Sequence, residues 1–257
     1  MQTNFFKTIE GERIICWFSC GATSAVACKL AIVENAGKLP LRVCYCDTKS
    51  EHHDNERFLK DCEKWFGQPI ERLVNPKYDD IDHLFVKDRY LNGVNGARCT
   101  QQMKIWIRKK MQRAETDMQV FGFDGGEIDR AFDFRESNPD VTLVTPLIER
   151  GMSKPDCLAM LKAEGIELPE MYKLGYKNNN CIGCVKGAKG YWNKIRKDFP
   201  EVFSRRAKQE REIGASCISG CYLDELAPNA GRYEAEPDIS CGGVCVDARR
   251  EIENCEL

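Results

Sequence analysis

The sequence predicts an α/β fold in which a parallel sheet is flanked by helices. Three observations lead there. Short apolar runs (Ile14 to Phe18, Leu41 to Cys46, Ile70 to Val74 and Gln119 to Phe123) are strand candidates. Segments of helical periodicity alternate with them, the spacing of a parallel sheet covered on both faces. At 257 residues the chain is also long enough for one large domain of this class with a smaller appended segment.

The first run passes through Ser19-Cys20-Gly21-Ala22-Thr23-Ser24 into a helix from Ala25 to Val33, giving strand, tight loop, helix. The second ends on Asp47-Thr48. From Asp54 to Phe66, Phe58, Leu59, Cys62, Trp65 and Phe66 recur at helical spacing, and Cys99 to Met111 reads as a further helix. Ser153 opens a helix to Ala163, with Asp156 at the capping-box position where a carboxylate also suits the helix dipole. Tyr191 to Ile213 is the last helical stretch. The character changes after Leu168, which divides the chain into residues 1–168, the α/β domain, and residues 169–257, rich in cysteine and turns.

The formal net charge of -2 argues neither for nor against a nucleic-acid partner. Lys104, Arg108, Lys109, Lys110 and Arg113 cluster in one helix, either a solvated face or a local basic face for nucleic acid. No stretch approaches the ~20 apolar residues that span a bilayer. Met1 to Arg13 carries acidic residues and no apolar core, unlike a secretory signal. The expectation is a cytoplasmic protein with no membrane partner.

Fifteen cysteines are unusual for such a protein, because the cytosol keeps thiols reduced. Cys16, Cys28, Cys44, Cys46, Cys62 and Cys157 sit in apolar or periodic contexts and read as buried filler. Cys20, Cys99, Cys181, Cys184, Cys217, Cys221, Cys241, Cys245 and Cys255 occupy turn-like or polar surroundings, where metal ligation or redox chemistry leads. Cys181-x-x-Cys184 brings two thiols to one centre, with Gly183 for the tight turn and Lys177, Lys186 and Lys189 to offset negative charge. An iron–sulfur cluster, zinc and a redox pair all use this spacing. His52 and His53 read as incidental loop residues, and Trp65 and Trp106 as packing.

The loop of small residues lets backbone N–H groups and the Ser19, Thr23 and Ser24 hydroxyls approach a phosphate at a helix N-terminus, with Gly21 leaving the approach open. Here the chain resembles the PP-loop superfamily, and within it the phosphoadenosine-phosphosulfate (PAPS) reductase family. Ser19, Gly21 and Ser24 match S-G-G-x-D-S, with Cys20 replacing the second-position Gly and Thr23 the Asp. Asp47-Thr48 is similar to the D-T-G segment. Phe121-Gly122-Phe123, Glu127, Arg130 and Arg135 resemble G-L-R-R-x-x-S-x-R. Pro146-Leu147, Gly165-Ile166, Pro169, Tyr172, Gly175-Tyr176 and Cys181-Ile182-Gly183-Cys184 follow the segment ending in C-x-x-C. Cys241-Gly242 resembles the E-C-G-L-H tail, without its His. The ordered series runs from Ile14 to Cys184.

The resemblance implies an adenine nucleotide alpha hydrolase-like fold with a PP-loop nucleotide-binding domain. It implies an adenine nucleotide ligand (ATP, APS or PAPS) contacted by Ser19, Gly21, Thr23, Ser24, Asp47, Thr48, Arg130 and Arg135. It implies a [4Fe–4S] cluster on Cys99, Cys181 and Cys184, with Cys217 the first choice for the fourth ligand. The degenerate loop favours nucleotide binding over ATP cleavage. Cys241 would attack the sulfur of an adenylylated sulfate, with Cys245 resolving, in an oxidoreductase served by a thioredoxin-like electron donor. One alternative is ATP-dependent, cluster-assisted sulfur transfer to tRNA or DNA. Another is a nucleotide sensor without turnover. Both monomer and homo-oligomer fit.

Overall fold

In the computed structural model, which describes residues 11–93 and 96–239, five strands form one parallel sheet in the order β3-β2-β1-β4-β5. The strands are β1 (Arg13–Phe18), β2 (Leu41–Cys46), β3 (Ile70–Leu73), β4 (Asp117–Val120) and β5 (Thr142–Val144). The helices are α1 (Ala22–Asn35), α2 (Asn55–Phe66), α3 (Ile81–Asp88), α4 (Arg98–Thr100), α5 (Trp106–Met111), α6 (Ile128–Ser137), α7 (Pro146–Glu149), α8 (Lys154–Ala163), α9 (Glu170–Lys173), α10 (Lys189–Asp198) and α11 (Pro200–Ile213). A π-helical turn, Gln101–Ile105, separates α4 from α5.

Two units form, each from three stretches of chain: Met1–Asp47, His53–Leu73 and Ile107–Asn179; and Thr48–His52, Val74–Trp106 and Asn180–Leu257. The first holds the sheet. Its core joins Ile14, Cys16 and Phe18 of β1 to Ala25, Val26 and Cys28 of α1, Phe58 and Cys62 of α2, and Cys157 and Leu161 of α8. The filler reading of the cysteines holds for Cys16, Cys28, Cys44, Cys62 and Cys157, all buried, while Cys46 is half-buried. Burial pushes the Cys44 and Cys157 thiols up to about 12, so they stay protonated and unreactive. Ser153 and Asp156 form the capping box expected at the start of α8.

Several elements differ from the sequence expectation. β4 begins at Asp117 and ends at Val120, so Phe121 to Phe123 lie beyond the strand. Asp117 is drawn into the ladder because its carboxylate has a partner. Arg13, its register neighbour on β1, donates from Nε at 2.8 Å and Nη2 at 2.7 Å, and the Arg113 N–H adds a bond of 2.6 Å. The stretch Tyr191 to Ile213 is two helices, because Pro200 cannot continue the hydrogen-bond ladder and instead opens α11. β5, α3 and α6 have no counterpart in the sequence reading. His52 is buried edge-on to Phe199, not an exposed loop residue.

The Arg13–Asp117 pair yields a stability prediction. Burial pushes the Asp117 carboxyl up, but its bonds to Arg13 and the Arg113 N–H outweigh this and leave it below its ordinary value. A depressed carboxylate contributes stability above its unfolded pKa and loses it as pH falls through the folded one. Asp117→Asn is expected to cost about 2 kcal/mol at neutral pH, the scale of hydrogen bonds to a charged group. The difference between the proteins should shrink as pH drops below the carboxylate range. Urea unfolding of both proteins from pH 7 to pH 3 checks it, and a pH-independent difference would rule out the ion pair as the cause.

Candidate nucleotide loop and cysteine cluster

The order 3-2-1-4-5 reverses direction between β1 and β4, and parallel sheets receive ligands outside the carboxyl ends of strands at such a reversal. The residues there are Ser19 to Ser24 after β1 and Phe121 to Phe123 after β4. Cys20 takes φ 59°, a left-handed conformation that favours glycine, and the chain turns on it into α1. Its thiol is fully buried. Gly21 is extended, at φ -109°. The tight turn therefore depends on the residue before Gly21.

The loop is braced from within. Ser24 Oγ receives the Ser19 N–H and lies 3.0 Å from Ser19 Oγ, and it donates to the Gly21 carbonyl at 2.9 Å. Ser24 is buried, so its hydroxyl holds the turn together and is not turned outward for a phosphate. Ser19 is exposed and Thr23 half-buried. Among the described residues, nothing accepts from the backbone N–H groups of Gly21 and Thr23. An ideal Cβ on Gly122 would fall 2.7 Å from both Cα and N of Ser24, so the chain leaving β4 lies directly against the first turn of α1.

Residues beyond Leu168 close the loop's other side. The Tyr172 hydroxyl accepts the Ala22 N–H at 3.2 Å, and Asn179 Nδ2 donates to the Cys20 carbonyl at 2.6 Å and to Asn55 Oδ1 at 2.8 Å. Asn55 and Asn179 were not singled out in the sequence, since neither belongs to a recognisable motif.

The other expected nucleotide contacts divide. Asp47 closes β2, with its N–H on the Leu73 carbonyl and its carboxylate 4.0 Å from Arg72. Thr48 belongs to the second unit, where its fully buried hydroxyl lies 3.1 Å from Cys181 Sγ, beside a thiol and not in the loop's unit. Arg130 pairs with Glu127 and stacks over Phe123 at 5.3 Å. Arg135 is exposed on the same helix. Five residues separate the two, roughly 140° around an α-helix, so they do not share a face as a joint clamp would need.

The supposed basic face is also interrupted. Arg108 is buried, with its guanidinium over Phe134 at 4.9 Å and Nη2 donating to Asn138 at 3.0 Å. Its Nε and Nη1 lack partners among the described residues, and burial lowers its pKa to about 10. Helical spacing hides such a residue: only packing shows which way it points.

Cys99, Cys181, Cys184 and Cys217 all fall in the second unit, and all are buried. Gly183 takes φ 72° between the C-x-x-C residues, a turn a β-carbon would strain. Such a carbon would also meet Val202 at 2.6 Å. The Tyr191 hydroxyl accepts the Cys184 N–H at 2.8 Å and donates to the Cys181 carbonyl at 3.4 Å. Glu210, fully buried on α11, accepts the N–H groups of Cys217 and Leu223, each at 2.6 Å, and so fixes both ends of the Cys217 turn. Burial pushes the Cys217 thiol well up, opposed by the Arg206 charge, and Cys99 is near enough to add to the rise. Among the described residues, no three His, Cys, Asp or Glu side chains are grouped so that they could hold a metal ion. Cys241 and Cys245 lie outside the described residues.

Among the described residues no helix is long and apolar enough to cross a membrane. No family model matches the chain, and no curated protein does.

Proposed function

We propose that this chain is a cytoplasmic PAPS reductase-like enzyme that binds an adenine nucleotide at Ser19 to Thr23 and performs thiol chemistry on an adenylylated sulfate. The observation that carries the reading is the loop's place at the β1/β4 reversal, with the Gly21 and Thr23 N–H groups at the start of a 14-residue helix. Donors so arranged, added to the helix dipole, favour an anion. The neutral Thr23, where the resembled motif has Asp, suits a substrate that is already activated.

A [4Fe–4S] cluster on Cys99, Cys181, Cys184 and Cys217 is part of the proposal. What supports it is the donor type, four buried thiols in one unit, although no three of them are grouped for a metal ion among the described residues. Bound there, a cluster would supply a redox-active or sulfide-carrying centre. Sulfur transfer to nucleic acid remains the rival, but burial of Arg108 removes a central charge from the basic face that favoured it.

Gly21→Val tests the loop. The extended backbone at Gly21 accepts a side chain, and the space over it is bounded by the Tyr172 hydroxyl at 3.4 Å and Ser19 Oγ at 3.7 Å. The variant should fold normally yet lose measurable adenylylated-sulfate binding by calorimetry. A folded Gly21→Val protein that binds as wild type does would place the ligand elsewhere.

A further inference from the structure

The Tyr172 phenol oxygen receives two backbone N–H groups, from Ala22 at 3.2 Å and from Asn179. Those bonds use its acceptor capacity and leave one hydrogen-bonding resource, the O–H proton. No described residue accepts that proton. The volume vacated by the missing Gly21 side chain lies between this hydroxyl and Ser19 Oγ, and the Gly21 and Thr23 N–H groups belong to the same turn. These are donors, and no carboxylate is among them.

A second observation concerns the same loop. Asn55 and Asn179 are both more than nine-tenths buried beside Cys20, yet Asn55 Nδ2 and Asn179 Oδ1 have no partner among the described residues. Buried amide atoms left unpaired are costly, so both side chains leave hydrogen-bonding capacity unspent beside the loop.

Resting on the nucleotide reading above, we propose that Tyr172 is a specificity-determining residue whose phenolic O–H donates to a tetrahedral oxyanion, phosphoryl or sulfuryl, held over Gly21. Burial pushes the phenol up to about 12, so it keeps its proton and acts as a neutral donor throughout the physiological range. The two N–H bonds fix the direction of that proton, and the Asn179 contact makes the segment after α9 part of the binding loop.

Tyr172→Phe removes the O–H and keeps the ring. Calorimetric titrations with adenosine, AMP, an adenylylated sulfate and inorganic sulfate test the proposal. The expected result is a ten- to hundredfold loss for the three anionic probes, as for a hydrogen bond to a charged acceptor, with adenosine unchanged. Equal losses for adenosine and AMP, or no loss at all, would overturn it by making Tyr172 a structural residue only. Wild type that binds sulfate but no adenine compound, with sulfate binding lost in the variant, would sink the nucleotide reading and leave the Tyr172 assignment standing. Failure of every probe with wild type would overturn both. Should the variant not fold, wild type carrying ring-labelled tyrosine gives the second readout. The Tyr172 ring carbon bearing the hydroxyl should shift on adding sulfate, and an unmoved signal at saturating sulfate would overturn the proposal.

Discussion

Gly122→Val is expected to destabilise the protein by about 3 kcal/mol, the upper part of the usual overpacking range, and to remove nucleotide binding completely. A β-carbon there would meet Cα and N of Ser24 at 2.7 Å and the Thr23 carbonyl carbon at 2.9 Å. These are backbone atoms at the start of α1, so no side chain can rotate away to relieve the overlap. Either the chain after β4 lifts off or the first turn of α1 shifts, and the second outcome moves the Thr23 N–H as well. The contrast with Gly21→Val is diagnostic. There the added β-carbon meets only ordinary contacts over an extended backbone, so binding should be lost while stability is kept. Urea midpoints and nucleotide titrations on both variants separate the two effects. A Gly122→Val protein as stable as wild type would show that the β4–α1 contact is not as close as described.

The parallel sheet was legible because its strands are apolar runs separated by segments of helical period. β1 and β2 match to within a residue. β4 was read two residues late because a strand that opens on Asp117 looks polar until Arg13 is placed opposite it. β5 and α6 were missed for want of a continuous apolar pattern: Ile128 and Phe132 of α6 are exposed, so its hydrophobic residues do not trace one buried stripe.

The loop itself was readable as strand, small residues, helix, and its place in the fold agrees. The division of labour among its residues was not. Spacing cannot tell that the Ser24 hydroxyl is spent on Ser19 and Gly21, or that Thr48 lies against Cys181. Nor does any pattern announce Asn179 or Glu210, and the resemblance that includes Tyr172 says nothing of its bond to the loop. Their partners lie 150 positions away for Tyr172, 159 for Asn179 with Cys20, and 7 for Glu210 with Cys217, and only the folded chain brings them together. Context placed five of the six filler cysteines, since a thiol at a core-facing position of a helix or strand is buried wherever its neighbours are, while Cys46 is half-buried. Burial does not separate the two groups, because Cys20, Cys99, Cys181, Cys184 and Cys217, read as turn-like or polar, are buried as well.

The second large effect expected is complete loss of sulfite release in Cys241→Ser, with nucleotide affinity and iron content unchanged. In the proposed reaction the Cys241 thiolate attacks the sulfur of the adenylylated sulfate. An S–S bond forms, the S–O bond to the phosphate breaks, and the adenosine phosphate departs, leaving a thiosulfonate on the enzyme. The Cys245 thiolate then attacks Cys241 Sγ, forming a disulfide and expelling sulfite. Sulfur gains two electrons, the two thiols lose them, and a thioredoxin-like dithiol restores the pair. Serine cannot replace the nucleophile, because the hydroxyl stays protonated where a thiol ionises. Both cysteines lie outside the described residues, but the chain leading to them is anchored. Glu236 accepts the N–H groups of Gly190 and Tyr191 at 2.5 and 2.9 Å, and Asn180, adjacent in sequence to Cys181, donates to the Ile239 carbonyl at 2.9 Å. Cys181→Ser is the companion variant, which should lose iron and visible absorbance after anaerobic purification. Assays of both variants for sulfite from adenylylated sulfates, and for AMP formed from ATP with RNA or DNA present, decide between the readings. Sulfite release that survives in Cys241→Ser removes the tail mechanism, whereas ATP cleavage stimulated by nucleic acid and abolished by Cys181→Ser would establish sulfur transfer instead.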